Sequence, residues 1–281
     1  MKRGLFATIA VYAGVVLFLT VTLVPILWMV LISVSASSEL TVKPLHFIPS
    51  HIDWSHYASL LSFEVNGPGH AFILALRNTL ATALTATAIS LCVAIPAGWA
   101  FSRSNGRFDG LLYIVLATYM MPAVALLLPL YLLLASLGLL NSITGLILVY
   151  CSVLTPFVTW FVKSAFDGVP EEIEHAALID GVSYFQLIRH ISLPLAKSGI
   201  ATAALFAILL AWDEFFYALL FTATSDAKTL SVTIADFAGG RATDFGLIAA
   251  AGLLTALPPV LIAVVLQRAL VSGLTAGGVK G

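Results

Sequence analysis

Residues 170–194 read PEEIEHAALIDGVSYFQLIRHISLP, a polar island between two apolar stretches, 143–165 and 198–222, each long enough to cross a membrane. Pro170 suits the first turn of a helix, where its missing N–H removes no intrahelical bond. Glu171, Glu172 and Glu174 then place negative charge at the positive end of the helix dipole. Ile173, Ala176, Ala177 and Asp180 recur at i, i+3, i+4 and i+7 and so share one face, on which the small alanines allow another surface to approach. Gly181 stops this helix, Ser183 can cap a second over Tyr184–His190, and Pro194 closes the unit before the next apolar stretch. The pattern predicts a compact helix–turn–helix at a membrane surface. A helix lying on lipid would favour Lys and Arg on its polar face. This one is acidic, which favours a basic protein partner, and a structured loop of this kind is suited to receive a push from something soluble.

The rest of the chain supplies the membrane. Of 281 residues, 60% are hydrophobic and only 10% charged, with a mean hydropathy of +1.04, whereas a soluble domain carries about 25% charged residues. Six spans follow: 7–33, 72–102, 111–135, 143–165, 198–222 and 245–270. Each reaches the ~20 residues that cross the hydrocarbon core, and backbone groups in lipid must be satisfied internally, so the spans are expected to be helices. The expected fold is an all-α membrane protein of six transmembrane helices in one domain, 1–281, with a loop at 166–197 and a tail at 271–281.

Lys and Arg orient it. With both ends in the cytoplasm, the inner side holds Lys2, Arg3, Arg103, Arg107, Lys163, Arg189, Lys197, Arg268 and Lys280, nine residues against Lys43, Arg77, Lys228 and Arg241 outside. An even number of spans agrees. The first apolar run is too long for a signal-peptide core and contains Pro25 and Trp28, so it reads as a retained helix. Cys92 and Cys151 fall inside spans and read as small buried apolar residues, not as a disulfide framework. The formal net charge of −1 comes with no basic tract, which argues against nucleic acid.

The connections carry less. The outer segment 34–71 contains His46, His51, His56 and His70, with no metal-ligand spacing among them and one short interfacial helix expected near Trp54–Phe63. Residues 103–110, RSNGRFDG, make a short basic inner loop; 136–142, SLGLLNS, a tight outer turn; and 223–244 a polar outer loop with room to touch a partner.

The polar island resembles the EAA motif of permease subunits of bacterial ATP-binding-cassette importers. In that pattern Glu-Ala-Ala is followed after three residues by Gly and, nine residues later, by Ile-x-Leu-Pro. Here Ala176-Ala177, Gly181, Ile191, Leu193 and Pro194 keep the whole spacing. The motif's glutamate is His175 in this chain, with Glu174 beside it, so either Glu174 or a different contact makes the charge pair with the ATPase. Other stretches are similar to the sugar branch that includes the maltose-type permease: Trp212-Asp213-Glu214-Phe215, the turn Leu137–Ser142, and the ending Gly273–Gly281. The resemblance implies a type I importer permease of maltose-permease-like fold in a bacterial inner membrane, working as a heterodimer with a second permease. It implies two ATPase subunits, an extracytoplasmic sugar-binding protein and a sugar substrate, with ATP and Mg on the ATPases and no cofactor in this chain. On this basis Glu174, His175, Ala176, Ala177, Asp180, Gly181, Ile191, Leu193 and Pro194 form the ATPase-coupling loop. Gly277, Gly278 and Lys280 lie in a tail that reaches the ATPases.

Asp213 and Glu214 sit within the fifth span, where charges are costly and usually face polar interiors. One reading makes Trp212, Asp213 and Phe216, with Met121 and Asn78, the lining of a translocation cavity, aromatic faces meeting sugar rings. The other makes the acids structural, paired with a partner permease or with Arg77, and lets Asn78 satisfy backbone. Met120-Met121-Pro122 and Pro129 predict a bent third span. Two further classes compete: a proton-coupled secondary transporter using Asp213 or Glu214, and a membrane enzyme. The chain has no G-x-x-x-x-G-K-[ST] for ATP, no HExxH, no metal motif and no Ser/His/Asp set, and no inverted repeat is visible.

Overall fold

The computed structural model describes residues 5–40, 48–65, 67–239 and 243–276, and they are helical, with no strand among the described residues. In chain order the helices are α1 (Leu5–Ser33), α2 (Ser55–Leu60), α3 (Pro68–Ser102), α4 (Asp109–Tyr119), α5 (Ala123–Ser136), α6 (Ile143–Asp167), α7 (Glu171–Ile179), α8 (Tyr184–Leu187), α9 (Leu193–Leu195), α10 (Lys197–Trp212), α11 (Phe216–Phe221), α12 (Leu230–Ala238) and α13 (Phe245–Ala276), with a π-helical turn over Ile188–Ser192 between α8 and α9. Within these, Thr8–Ser33, Pro68–Ser102, Ile143–Asp167 and Phe245–Val265 are each long and apolar enough to cross a membrane. The chain packs as two compact units, 1–73 with 233–257, and 74–232 with 258–281.

In the first unit, α1 is apolar all round and none of its most hydrophobic window is buried, as suits a helix solvated by lipid or by another chain. After α1 the connecting segment is tied down by His56. Its Nδ1 lies 3.2 Å from the Ser33 carbonyl, and its Nε2 lies 3.2 Å from Ser37 Oγ and 3.3 Å from Asp244. Asp244 in turn caps α13 by accepting from the Leu247 N–H at 3.1 Å. Gly246 packs against the His56 ring, where no Cβ fits. The short helix expected near Trp54–Phe63 is α2.

The second unit is organised on α6. Tyr150, Leu154, Val158, Val162 and Phe166 recur every fourth residue and none is more than 2% exposed, giving one buried stripe. Helices α4, α10 and α11 pack on α6. Close approach is set by small residues, as is usual between membrane helices. A Cβ on Gly199 of α10 would lie 2.5 Å from the Ala165 Cβ, and one on Gly98 of α3 would lie 2.9 Å from Val162 Cγ1. At the turn between α5 and α6, the Asn141 side-chain oxygen accepts from the N–H groups of Ala223 at 2.8 Å and Thr224 at 3.0 Å.

Two spans are interrupted helices, the third where a bend was expected and the fifth where none was. The third is broken at Met120–Pro122 into α4 and α5, which meet at 88°. Proline cannot continue the hydrogen-bond ladder and its ring disfavours a helical preceding residue. The fifth ends at Trp212 and restarts as α11 after Asp213–Phe215. Glu214 makes the restart possible, its carboxylate accepting from the Tyr217 N–H at 2.8 Å and the Ala218 N–H at 3.1 Å. Cys92 is exposed on α3 rather than buried, and both cysteines are unpaired.

Candidate functional site

The loop between α6 and α10 folds from local signals. Pro170 precedes α7, and Gly181 ends it in the left-handed conformation, with φ +85°. The Val182 N–H donates to the Ala177 carbonyl and the Gly181 N–H to the Leu178 carbonyl, both at 3.1 Å, a Schellman termination that consumes carbonyls the helix end would otherwise leave open. Ser183 and Gln186 then form a reciprocal capping box at the start of α8. The expected second helix over Tyr184–His190 instead widens after Leu187 into the π turn, closed by the Leu193 N–H donating to the Ile188 carbonyl. Pro194 explains the change: it has no N–H for the α-helical partner four residues back, and the wider turn spans the gap.

The loop has an outer and an inner surface. Outward lie His175, Ala176 and Asp180, with Ile179 86% exposed, Phe185 71% and Tyr184 64%. Inward lie Glu174 and Ala177. This corrects one expectation: Ala177 does not share an open docking face with Ile173, Ala176 and Asp180. Of the two readings left open for the charge pair, the one that gives it to Glu174 meets a side chain turned inward. Glu174 is 3% exposed, and its carboxylate accepts from Arg103 Nε at 2.8 Å and a second Arg103 nitrogen at 3.1 Å, from Ser192 Oγ at 2.6 Å and from Trp99 Nε1 at 3.3 Å. Burial by itself would raise the Glu174 pKa; the hydrogen bonds from Arg103 and Ser192, the Arg103 charge and the Trp99 N–H outweigh it and hold the carboxyl below its ordinary 4.5. Since the folded value is the lower one, the stabilisation is complete above pH 4.5 and is lost as pH falls through the folded value. Hydrogen-exchange protection of α7 is therefore expected to be equal at pH 6 and pH 8.

Arg103 is held on all sides. It also donates to the Val169 carbonyl at 3.1 Å and to Ser102 Oγ at 2.9 Å, and Ser102 donates to Asp167 at 2.7 Å, which pairs with Lys163 at 2.9 Å. The sequence signal for this cluster is weak, because Arg103 and Glu174 lie 71 positions apart. Ile191 and Leu193 are half-buried and Pro194 exposed. Gly277, Gly278 and Lys280 lie outside the described residues.

The residues expected around a cavity separate. Asp213 is exposed, Met121 is 49% exposed and Phe216 is half-buried against a cluster containing Leu134, Val149, Tyr217 and Phe221. Trp212 is buried at 4% exposure and Asn78 at 2%, so neither indole nor amide lines open space. The Asn78 side chain donates to three backbone carbonyls, Ser225 at 3.2 Å and Asp226 and Lys228 at 3.0 Å, and the neighbouring Thr79 hydroxyl accepts from the Leu230 N–H at 2.9 Å. Arg77 is exposed and pairs with neither Asp213 nor Glu214 among the described residues. Among the described residues no group of His, Cys, Asp and Glu is placed to hold a metal ion.

Residues 90–276 match the family described as binding-protein-dependent transport system inner membrane component. The chain is 35% identical over 260 residues to the sulfoquinovosyl glycerol transport system permease protein of Agrobacterium fabrum, covering 92% of this chain and 89% of that protein. It is 31% identical over 285 residues to the trehalose/maltose transport system permease protein of Thermococcus litoralis, covering 100% of both. Among solved structures, a bacterial ABC transporter that imports the acidic polysaccharide alginate has a chain that superposes with a TM-score of 0.78 at 22% identity, covering 95% of this chain and 98% of that one, a likeness of fold. The chain is a multi-pass membrane protein and belongs to the family of binding-protein-dependent transport system inner membrane components.

Proposed function

We propose that this chain is one permease subunit of an ATP-driven carbohydrate importer. The observation that carries the reading is the folded loop, whose inner surface is anchored on the bundle while Ile179, Phe185 and Tyr184 stand out unburied beside exposed His175, Ala176 and Asp180. Apolar side chains this exposed at a polar surface suit a protein interface. Relatives named for sulfoquinovosyl glycerol and for trehalose/maltose transport favour a sugar or glycoside as cargo. A solved alginate transporter in complex with its sugar-bound periplasmic protein, similar in fold at a TM-score of 0.66, favours delivery by an external binding protein.

In this reading the loop docks on an ATPase subunit through His175, Ala176, Asp180 and exposed Gly181, with Ala177, Ile191 and Leu193 shaping it from beneath and Pro194 closing it. Two ATPase subunits supply ATP and Mg, a second permease completes the pathway, and the tail with Gly277, Gly278 and Lys280 reaches the ATPases. Both termini face the cytoplasm of a bacterial cell. Asp213, Met121 and Phe216 remain as cavity lining. For a proton-coupled carrier using Asp213 or Glu214, Glu214 is occupied in capping α11, which leaves exposed Asp213 to carry that reading.

The test is purification of the tagged chain in mild detergent from its native membrane. Recovery of an ATPase, a second permease and a sugar-binding protein is the expected result; recovery of the chain alone, transporting without ATP, would overturn the assignment. A second expectation concerns Gly181. A Cβ there meets nothing within 4 Å in this chain, so Gly181→Ala is expected to cost only the left-handed backbone penalty of about 1 kcal/mol. Gly181→Trp is expected to keep membrane insertion and lose ATPase recovery in the same pull-down. Full ATPase recovery with Trp would reject docking at this surface.

A further inference from the structure

We propose that Glu174, clamped by Arg103, is the positioning residue that passes motion of the loop directly into α3, in addition to its covalent ends on α6 and α10. The inference rests on the loop being the ATPase contact. Glu174 lies on the inner side of α7, opposite the exposed surface that would take a push. Its carboxylate gathers donors from three other parts of the chain: Arg103 immediately after α3, Trp99 within α3, and Ser192 in the π turn that leads to α10.

The bonds are of the strong kind. The Arg103 guanidinium grips both Glu174 oxygens, one through Nε at 2.8 Å and the other at 3.1 Å, a bidentate geometry that fixes orientation as well as distance. Side-chain exposure of 13% for Arg103 and 4% for Glu174 removes most water from the pair, so separating it would strand two buried charges. A displacement of α7 therefore carries the end of α3 with it. The end of α6 joins the same body, because Arg103 also holds the Val169 carbonyl and, through Ser102, Asp167. The π turn adds a second tie through Ser192. The ends of α3 and α6 and the turn that leads to α10 thus meet around the Arg103–Glu174 pair, and a push on the loop reaches all three in parallel.

The test uses the assembled complex, with Cys92→Ser and Cys151→Ser removing the native thiols and spin labels at Ala100→Cys on α3 and Glu172→Cys on α7, both exposed positions, and compares the interspin distance without nucleotide and with Mg–ATP. In the chain with Glu174 intact the distance is expected not to change. In Glu174→Gln, which keeps size and loses charge, a nucleotide-dependent shift of about 2 Å is expected, the scale on which packed helices slide. Arg103→Lys, which keeps charge and loses the fork, is expected to fall between. A distance that changes with ATP while Glu174 is intact overturns the linkage, and so does a Gln variant that behaves like the parent. Should the Gln variant not assemble, the intact chain decides alone. A parent complex that hydrolyses no ATP would instead overturn the function reading, so the two failures are told apart.

Discussion

Gly199→Leu is expected to separate α10 from α6 and to abolish recovery of folded, assembled protein. Gly199 lies in the first turn of α10, and a Cβ there would come 2.5 Å from the Ala165 Cβ and 3.2 Å from its Cα. Neither atom belongs to a flexible side chain, so the helices themselves would have to part. Overpacking a tight contact costs about 1–3 kcal/mol for modest insertions. Four heavy atoms placed against the neighbouring helix exceed what rotamer changes can absorb. Association in lipid depends on such close packing, since burial from water contributes little between membrane helices. Gly199→Ala should assemble with a lowered midpoint in detergent unfolding, and Leu should give no cooperative transition. A Leu variant with the parental midpoint would show that the α6–α10 crossing is not the support that α6 gives the bundle.

Asn78→Leu is expected to cost about 3 kcal/mol of stability and to leave the apparent KM for transported sugar unchanged. The amide is the donor for the Ser225, Asp226 and Lys228 carbonyls. Leu keeps four side-chain heavy atoms branched at the same carbon, so the change removes hydrogen bonds without opening a cavity, and stranded buried acceptors account for the loss. An amide that touched substrate would give the opposite outcome, a raised KM with stability intact. Detergent unfolding alongside uptake kinetics separates the two.

The particular residues show what was legible and what was not. The positions of α1, α3, α6 and α13 follow from unbroken hydropathy, and α7 with its stop at Gly181 follows from proline, acid and glycine placed in a single turn each. These signals are local, and they survive because a helix satisfies its own backbone. The bend at Met120–Pro122 was legible for the same reason: proline acts on its immediate neighbours. The inner orientation of Glu174 was not, because polarity alone points a glutamate outward; only Arg103, 71 positions earlier, makes burial favourable. Asn78 was ambiguous in sequence for a related reason. Its partners are backbone carbonyls about 150 residues away, and a carbonyl leaves no mark on sequence identity. One reading gives Trp212 to a cavity wall although it is buried, since a side chain of that size reads alike in either place.

The break at Met120–Pro122 also says something about dielectric. Helix α4 has 11 residues and α5 has 14, lengths of about 17 and 21 Å, so neither half reaches across a bilayer alone. Where they join, the peptide ladder is interrupted, and a hydrocarbon environment has nothing to offer interrupted peptides. Met120 stands 82% uncovered there. The corner between α4 and α5 therefore marks a place from which acyl chains are excluded, wetted or covered by another polypeptide. A hydropathy plot records apolar side chains along 111–135 and cannot register this corner, because the polarity resides in the main chain.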